Sequence, residues 1–205
     1  MGRGSVLARV LAVAACAAVA VGCDGDGGHD DASGLTVSMT SNSPPPGGNV
    51  VWIAEGGRGE DLLLVDILAR DVTGPFDAFE VEIEFDPTLL EARSTEDGGA
   101  LAACTSLPVL HTDNIGNGGA ASGRLLLSSV STEPPGTTGC SVAGTRSLAR
   151  ILFVAIDAGT STLDFVPFNS DPNNPLGSRL FSTGAGHPVA AVTFFDSQAT
   201  VTGTR

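Results

Sequence analysis

The chain has 205 residues and sets 23 acidic side chains against ten arginines, with no lysine and no tyrosine, for a formal net charge of −13. That balance excludes nucleic acid as a partner, because such affinity rests on cationic contacts to phosphate. The absence of lysine also excludes a phosphate-binding P-loop of the usual form.

The N-terminus predicts export. Arg3 and Arg9 form a positive stretch ahead of an apolar run over residues 10–21, broken only by Cys16. The run is too short to span a bilayer comfortably and has the shape of a secretory signal. Ala20-Val21-Gly22-Cys23 is similar to a bacterial lipobox. That likeness implies cleavage before Cys23 and a lipid on its sulfur, although leucine is commoner where Ala20 stands. An ordinary signal peptide with an incidental cysteine is the alternative. The expected location is therefore exported: lipid-anchored to the cell envelope or surface, or secreted. Any membrane contact is through the lipid alone. Residues 24–34 hold four aspartates, four glycines and no large apolar side chain, so they read as a solvated tether.

The organisation that follows is a signal peptide over 1–22, an acidic tether over 23–34 and one domain over 35–205, long enough for a real core. Both early arginines precede Cys23, so eight arginines face 23 acids in the remainder, a side-chain balance of −15. Such acidity favours solubility and a basic partner surface. Cys104 and Cys140 are the two cysteines left after processing. In an oxidising compartment an even remainder reads as one disulfide.

The domain reads as strands separated by turns. Residues 35–40 alternate weakly, and Pro44, Pro45 and Pro46 stiffen a turn. Residues 50–54 are apolar. Residues 62–69 form a continuous apolar run interrupted only by Asp66, which predicts a central strand. The most informative stretch is 76–92. There Phe79, Val81, Ile83 and Phe85 alternate with Glu80, Glu82 and Glu84, so a period of two puts the apolar set on one strand face and the glutamates on the other. Asp86-Pro87 stops the strand, and Leu89 and Leu90 are expected to tuck back over the sheet end. Residues 88–92 read as one helical turn. Further strands are expected over 107–111, 124–130, 148–156, 162–166, 179–181, 190–195 and 198–201, with no helix of period 3.6 beyond the signal.

A strand followed by Asp86-Pro87-Thr88-Leu89-Leu90-Glu91 resembles the hallmark of cohesin modules. Residues 62–72 resemble the cohesin strand just before it. Residues 148–165 resemble the family's late hairpin, turning through Ala158-Gly159-Thr160. The likeness runs over about 35–202 and is weak across 93–147. It implies an all-β, two-sheet jelly-roll-like sandwich of about nine strands. It also implies a non-catalytic module that binds dockerin-bearing or other exported proteins through one sheet face, which in cellulosomes serves polysaccharide catabolism. Glu80, Glu82 and Glu84 are the candidate partner-binding stripe, with a plain solvated face as the bland alternative.

Signals for chemistry are weak, and no cofactor or metal is implied. Residues 139–143 miss the nucleophile-elbow pattern at the last position. His111 and Asp113 lie two residues apart with no serine motif beside them, and His187 is expected in a turn. Three glutamates in a line on one strand face give no separation of acid from base for glycoside hydrolysis. The loop from Asp171 has proline and leucine where a calcium loop needs an oxygen ligand and glycine, so the chain is not itself a dockerin. Two other functions compete with a protein-binding module. A carbohydrate-binding module would need exposed rings, and Trp52 sits in what reads as a core strand. The other is a structural envelope or assembly protein.

Overall fold

A computed structural model describes residues 34–41, 47–133, 139–169, 177–182, 187–188 and 192–203. The chain divides into two units, 1–30 and 31–205, and every described residue lies in the second. Cys23, the signal and almost all of the tether lie outside the described residues, as do the proline turn at 44–46 and the loop at 170–176.

Among the described residues thirteen strands follow in order: β1 Thr36–Ser41, β2 Val50–Arg58, β3 Leu62–Phe76, β4 Ala78–Glu84, β5 Leu90–Asp97, β6 Val109–Asp113, β7 Arg124–Ser131, β8 Cys140–Ala155, β9 Gly159–Phe165, β10 Arg179–Ser182, β11 His187–Pro188, β12 Thr193–Phe195 and β13 Ser197–Thr202. Five of them, in the order β12-β2-β3-β8-β5, make the back sheet. The front sheet runs β1-β13-β9-β4 and continues through β7 to the edge strand β6, while β10 and β11 extend it beside β4. All strand pairs are antiparallel except β12 with β2.

The core is the space between the sheets. From the back sheet Leu63, Val65, Ile67, Leu148, Ile151 and Phe153 point inward and are fully buried. Phe79, Val81, Ile83, Leu125 and Leu127 meet them from the front. Phe85 and Phe153 lock edge to face across the two sheets, with centroids 5.2 Å apart. The apolar run at 62–69 is indeed central, with β2 on one side and β8 on the other.

Asp86-Pro87 is the crossover from the front sheet to the back. The Asp86 carboxylate accepts from the Thr88 amide at 2.9 Å and its hydroxyl at 2.6 Å. Those two bonds hold the carboxyl below the usual carboxylate range. The Asp86 carbonyl accepts from the amides of Leu89 and Leu90, which turns the chain over. Leu90 is fully buried and opens β5. The helical turn expected at 88–92 is thus a three-residue turn, and the rest is strand. A tight turn at 123 seals the crossover. Gly123 has φ +77° and its carbonyl accepts from the Phe85 amide at 2.9 Å. A Cβ there would lie 2.5 Å from the Phe85 carbonyl oxygen.

Two other expectations change. His187 pairs as part of β11 with Ser182 instead of sitting in a turn. The hairpin strand expected at 148–156 begins eight residues earlier, at Cys140, because β8 follows β3 through several bulges to Phe76. Cys140 lies in that extension and is joined to Cys104, with Cα atoms 5.3 Å apart. Among the described residues no helix is long and apolar enough to cross a membrane.

Gly123→Ala combines a left-handed backbone with a clash against fixed backbone, and is expected to cost about 1–3 kcal/mol in urea unfolding. Reducing the Cys104–Cys140 bond, whose cysteines are 36 residues apart, is expected to lower stability by about 3–4 kcal/mol by the loop-entropy relation. Chemical denaturation with and without reductant measures it.

Candidate interaction face

Alternation on the front sheet sets two faces. Leu125, Leu127 and Ser129 of β7 point inward, so Arg124, Leu126, Ser128 and Val130 point out. On β4 the outward set is Glu80, Glu82 and Glu84, and on β6 it includes Leu110 and Thr112. Register places these in rows: Leu110 opposite Val130, Thr112 opposite Ser128 opposite Glu80, Leu126 opposite Glu82, and Arg124 opposite Glu84. The Thr112 and Ser128 hydroxyls are 2.9 Å apart.

The three glutamates do share one face, but they are not a free stripe. Glu84 is exposed, with 55 % of its side chain accessible, whereas the Glu80 and Glu82 side chains are only 17 % and 6 % accessible. Each has an arginine. Arg124 Nε lies 3.3 Å from Glu82 Oε1, and its Nη2 lies 2.8 Å from Glu84 Oε1. Arg179 Nη2 lies 2.9 Å from Glu80 Oε2. The Arg179 guanidinium is also flanked by two rings, with its carbon 4.9 Å from the Phe168 centroid and 4.8 Å from that of Phe181.

The burial of Glu82 has a topological cause. Beyond β4, β9 pairs only at Ile83 and Glu84, and β10 only at residues 78–80. Between them Ser178 closes the gap. Its hydroxyl accepts from the Glu82 amide at 3.1 Å and donates to the Glu82 carbonyl at 3.0 Å, while the Val166 amide also reaches that carbonyl. Glu82 is therefore fenced by chain on one side and by Arg124 on the other. Its Oε2 and the Arg179 Nε are buried without a hydrogen-bond partner among the described residues.

What the face leaves open is a graded surface. Leu110 is 57 % exposed and adjoins half-buried Val130. Hydroxyls from Thr112 and Ser128 lie in the middle, and the Glu84–Arg124 pair closes the other end. The sequence alone named the glutamates but missed Leu110, Thr112, Ser128 and both arginines. The available signal was the scarcity of cations: eight arginines beside an acid-rich central strand are natural partners for it.

Other sequence candidates lie elsewhere. His111 is on β6, where its Nδ1 lies 2.8 Å from Ser129 Oγ. That serine is 1 % exposed, so no substrate reaches its hydroxyl. Trp52 belongs to a core strand, yet Val51 and Ile53 take the inward positions and Trp52 projects from the outer side. There it is 9 % exposed, with the Arg70 guanidinium 5.6 Å from its ring centroid. The nine phenylalanines are buried or half-buried, so none offers an open ring. Among the described residues, the exposed large hydrophobic side chains are Leu62, Leu107 and Leu110.

No family model matches the chain. No curated protein matches it either. Solved structures do. The chain is similar to the third ScaC cohesin of Acetivibrio cellulolyticus, solved in complex with the ScaB dockerin, at 16 % identity over 72 % of this chain and 94 % of that one, with a TM-score of 0.50. It is also similar to the type II cohesin dyad of the ScaA adaptor scaffoldin of Acetivibrio cellulolyticus. There the identity is 18 % over 71 % of this chain and 46 % of that one, again with a TM-score of 0.50. Likenesses at these identities speak to the fold alone, and the fold of this sandwich is that of the cohesin modules.

Proposed function

We propose that residues 35–205 form a non-catalytic binding module that captures an exported protein, of dockerin type or another kind, through the outer face of β6, β7 and β4. The observation that carries this reading is the graded surface itself. It sets an exposed leucine, a pair of hydroxyls and an exposed ion pair side by side on one sheet face. An apolar anchor beside polar groups is the usual anatomy of a protein-binding patch. The structure of the third ScaC cohesin with the ScaB dockerin supports the same kind of partner for this fold.

In this reading the three glutamates have different tasks. Glu84 meets the partner directly. Glu80 and Glu82 hold Arg179 and Arg124, so they set the charge and shape of the face from beneath. A basic segment on the partner suits the acidity of the module. The signal over 1–22 exports the chain, lipid on Cys23 tethers it to the envelope or surface, and residues 23–34 give it reach. A role in polysaccharide catabolism would follow from the cargo, not from sugar contacts, because no open aromatic ring supports a sugar platform.

Immobilised 35–205, offered the exported proteins of the source organism, is expected to retain a protein carrying paired Asp-x-Asn-x-Asp-Gly loops. Leu110→Asp combined with Glu84→Arg is expected to weaken that capture by about 30-fold or more, the scale of one interface hot spot. Equal retention by the double variant would remove this face. Retention of an insoluble glycan and no protein would replace the reading with carbohydrate binding. Retention of neither would favour a structural envelope role.

A further inference from the structure

The edge strands β5 and β6 belong to different sheets, and a chain of polar side chains joins them. Thr95 Oγ1 of β5 lies 3.0 Å from Nε2 of His111 on β6. Nδ1 of the same ring lies 2.8 Å from Ser129 Oγ on β7. Each hydroxyl also touches a carboxylate. Thr95 donates to Asp113 Oδ2, and Ser129 donates to Asp97 Oδ1 at 3.1 Å. The order is Asp113, Thr95, His111, Ser129, Asp97, crossing from one sheet to the other three times.

Counting protons decides what the ring must be. A hydroxyl has one proton to give. A carboxylate cannot donate when ionised, so both hydroxyl protons are committed to Asp113 and Asp97. Both hydroxyl oxygens then face the ring as acceptors, and both ring nitrogens must donate. Every bond in the chain is satisfied only when the imidazole carries two protons. Its positive charge then lies between two carboxylates, one hydroxyl away on either side. A ring with one proton would leave a nitrogen lone pair against a hydroxyl lone pair. The hydroxyl could relieve this only by turning its proton from the carboxylate to the ring.

The carboxylates are held in place independently. The Gly99 amide donates to Asp97 Oδ2 and the Ile115 amide to Asp113 Oδ1, each at 3.0 Å. The remaining charged groups on the three strands have other partners. Glu91 pairs with Arg93 at 2.9 Å, Glu96 acts on Arg150 from the opposite position of β8, and Arg124 is taken by Glu82 and Glu84. No residue of the face described above is used.

We infer that His111 is a protonation-dependent clasp between the two sheets: the doubly protonated ring ties β5 to β6 and β7, and loss of one ring proton to solvent opens one end. The clasp is complete while the ring carries both protons and Asp97 and Asp113 are ionised. It is lost when the ring gives up a proton or when either carboxylate takes one up.

Long-range nitrogen NMR on the full chain tests this directly from pH 5 to 8. Both His111 nitrogens are expected to carry protons in mild acid. As one leaves, the amide signals of Thr95, Asp97, Gly99 and Ser129 are expected to move on the same curve. A ring with a single proton throughout, or β5 amides that ignore the ring, would overturn the clasp. Urea unfolding of His111→Gln gives a second readout. Between pH 5.5 and 8 the wild type is expected to lose stability that the variant keeps, as the folded chain gives up the ring proton that makes both bonds. Identical pH dependence in the two proteins would also overturn it.

Discussion

A carboxylate shut away from water must be met by a cation and by hydrogen-bond donors, or the fold loses more than the strand gains. On β4 that requirement falls on Glu82, which is 5 % exposed. Its strand cannot turn it inward, because Val81 and Ile83 occupy the core side. It cannot reach open water, because the backbone near Val166 and Ser178 closes in beside it. Arg124 is the available answer, and it arrives only because β7 pairs with β4 along its whole length. One buried charge thus ties the register of the front sheet to the electrostatics of its outer face.

The same arginine reaches Glu84 at the surface, so the exposed end of the face is continuous with the buried pair. At the far end Glu80 and Arg179 repeat the pattern, with Phe168 and Phe181 around the guanidinium. The apolar interior contributes most of the stability. These ion pairs contribute geometry: they hold long side chains still across a face otherwise built from leucine, valine and hydroxyls. An ordered face costs a partner less entropy on docking than a mobile one.

Much of this was legible beforehand, and for a physical reason. Alternation over 79–85 reports which side chains need a core, and Phe79, Val81 and Ile83 do occupy it. The apolar run at 62–69 likewise reports a strand with neighbours on both sides. Cys104 and Cys140 follow from parity once an oxidising location is expected. Alternation does not report what lies over the opposite face. Glu80 meets an arginine 99 residues away in sequence, and no local pattern carries that information. β5 was unreadable for another reason. It is an edge strand with only Leu90 and Ala92 buried, so it carries no sustained apolar alternation to mark it as a strand. The partners of His111 were hidden in the same way, since Thr95 and Ser129 lie on strands whose pairing is non-local.

The central claim is that β4 is the fixed middle of the front sheet. It is held by β7 along one side and by β9, Ser178 and β10 in succession along the other. Amide hydrogen exchange followed strand by strand tests it most directly, because exchange reads the local opening free energy. The amides of Val81, Glu82 and Ile83 should be among the slowest in the domain, as slow as those of β3 and β8 and far slower than those of the edge strand β6. Exchange in β4 as fast as in β6 would contradict the account.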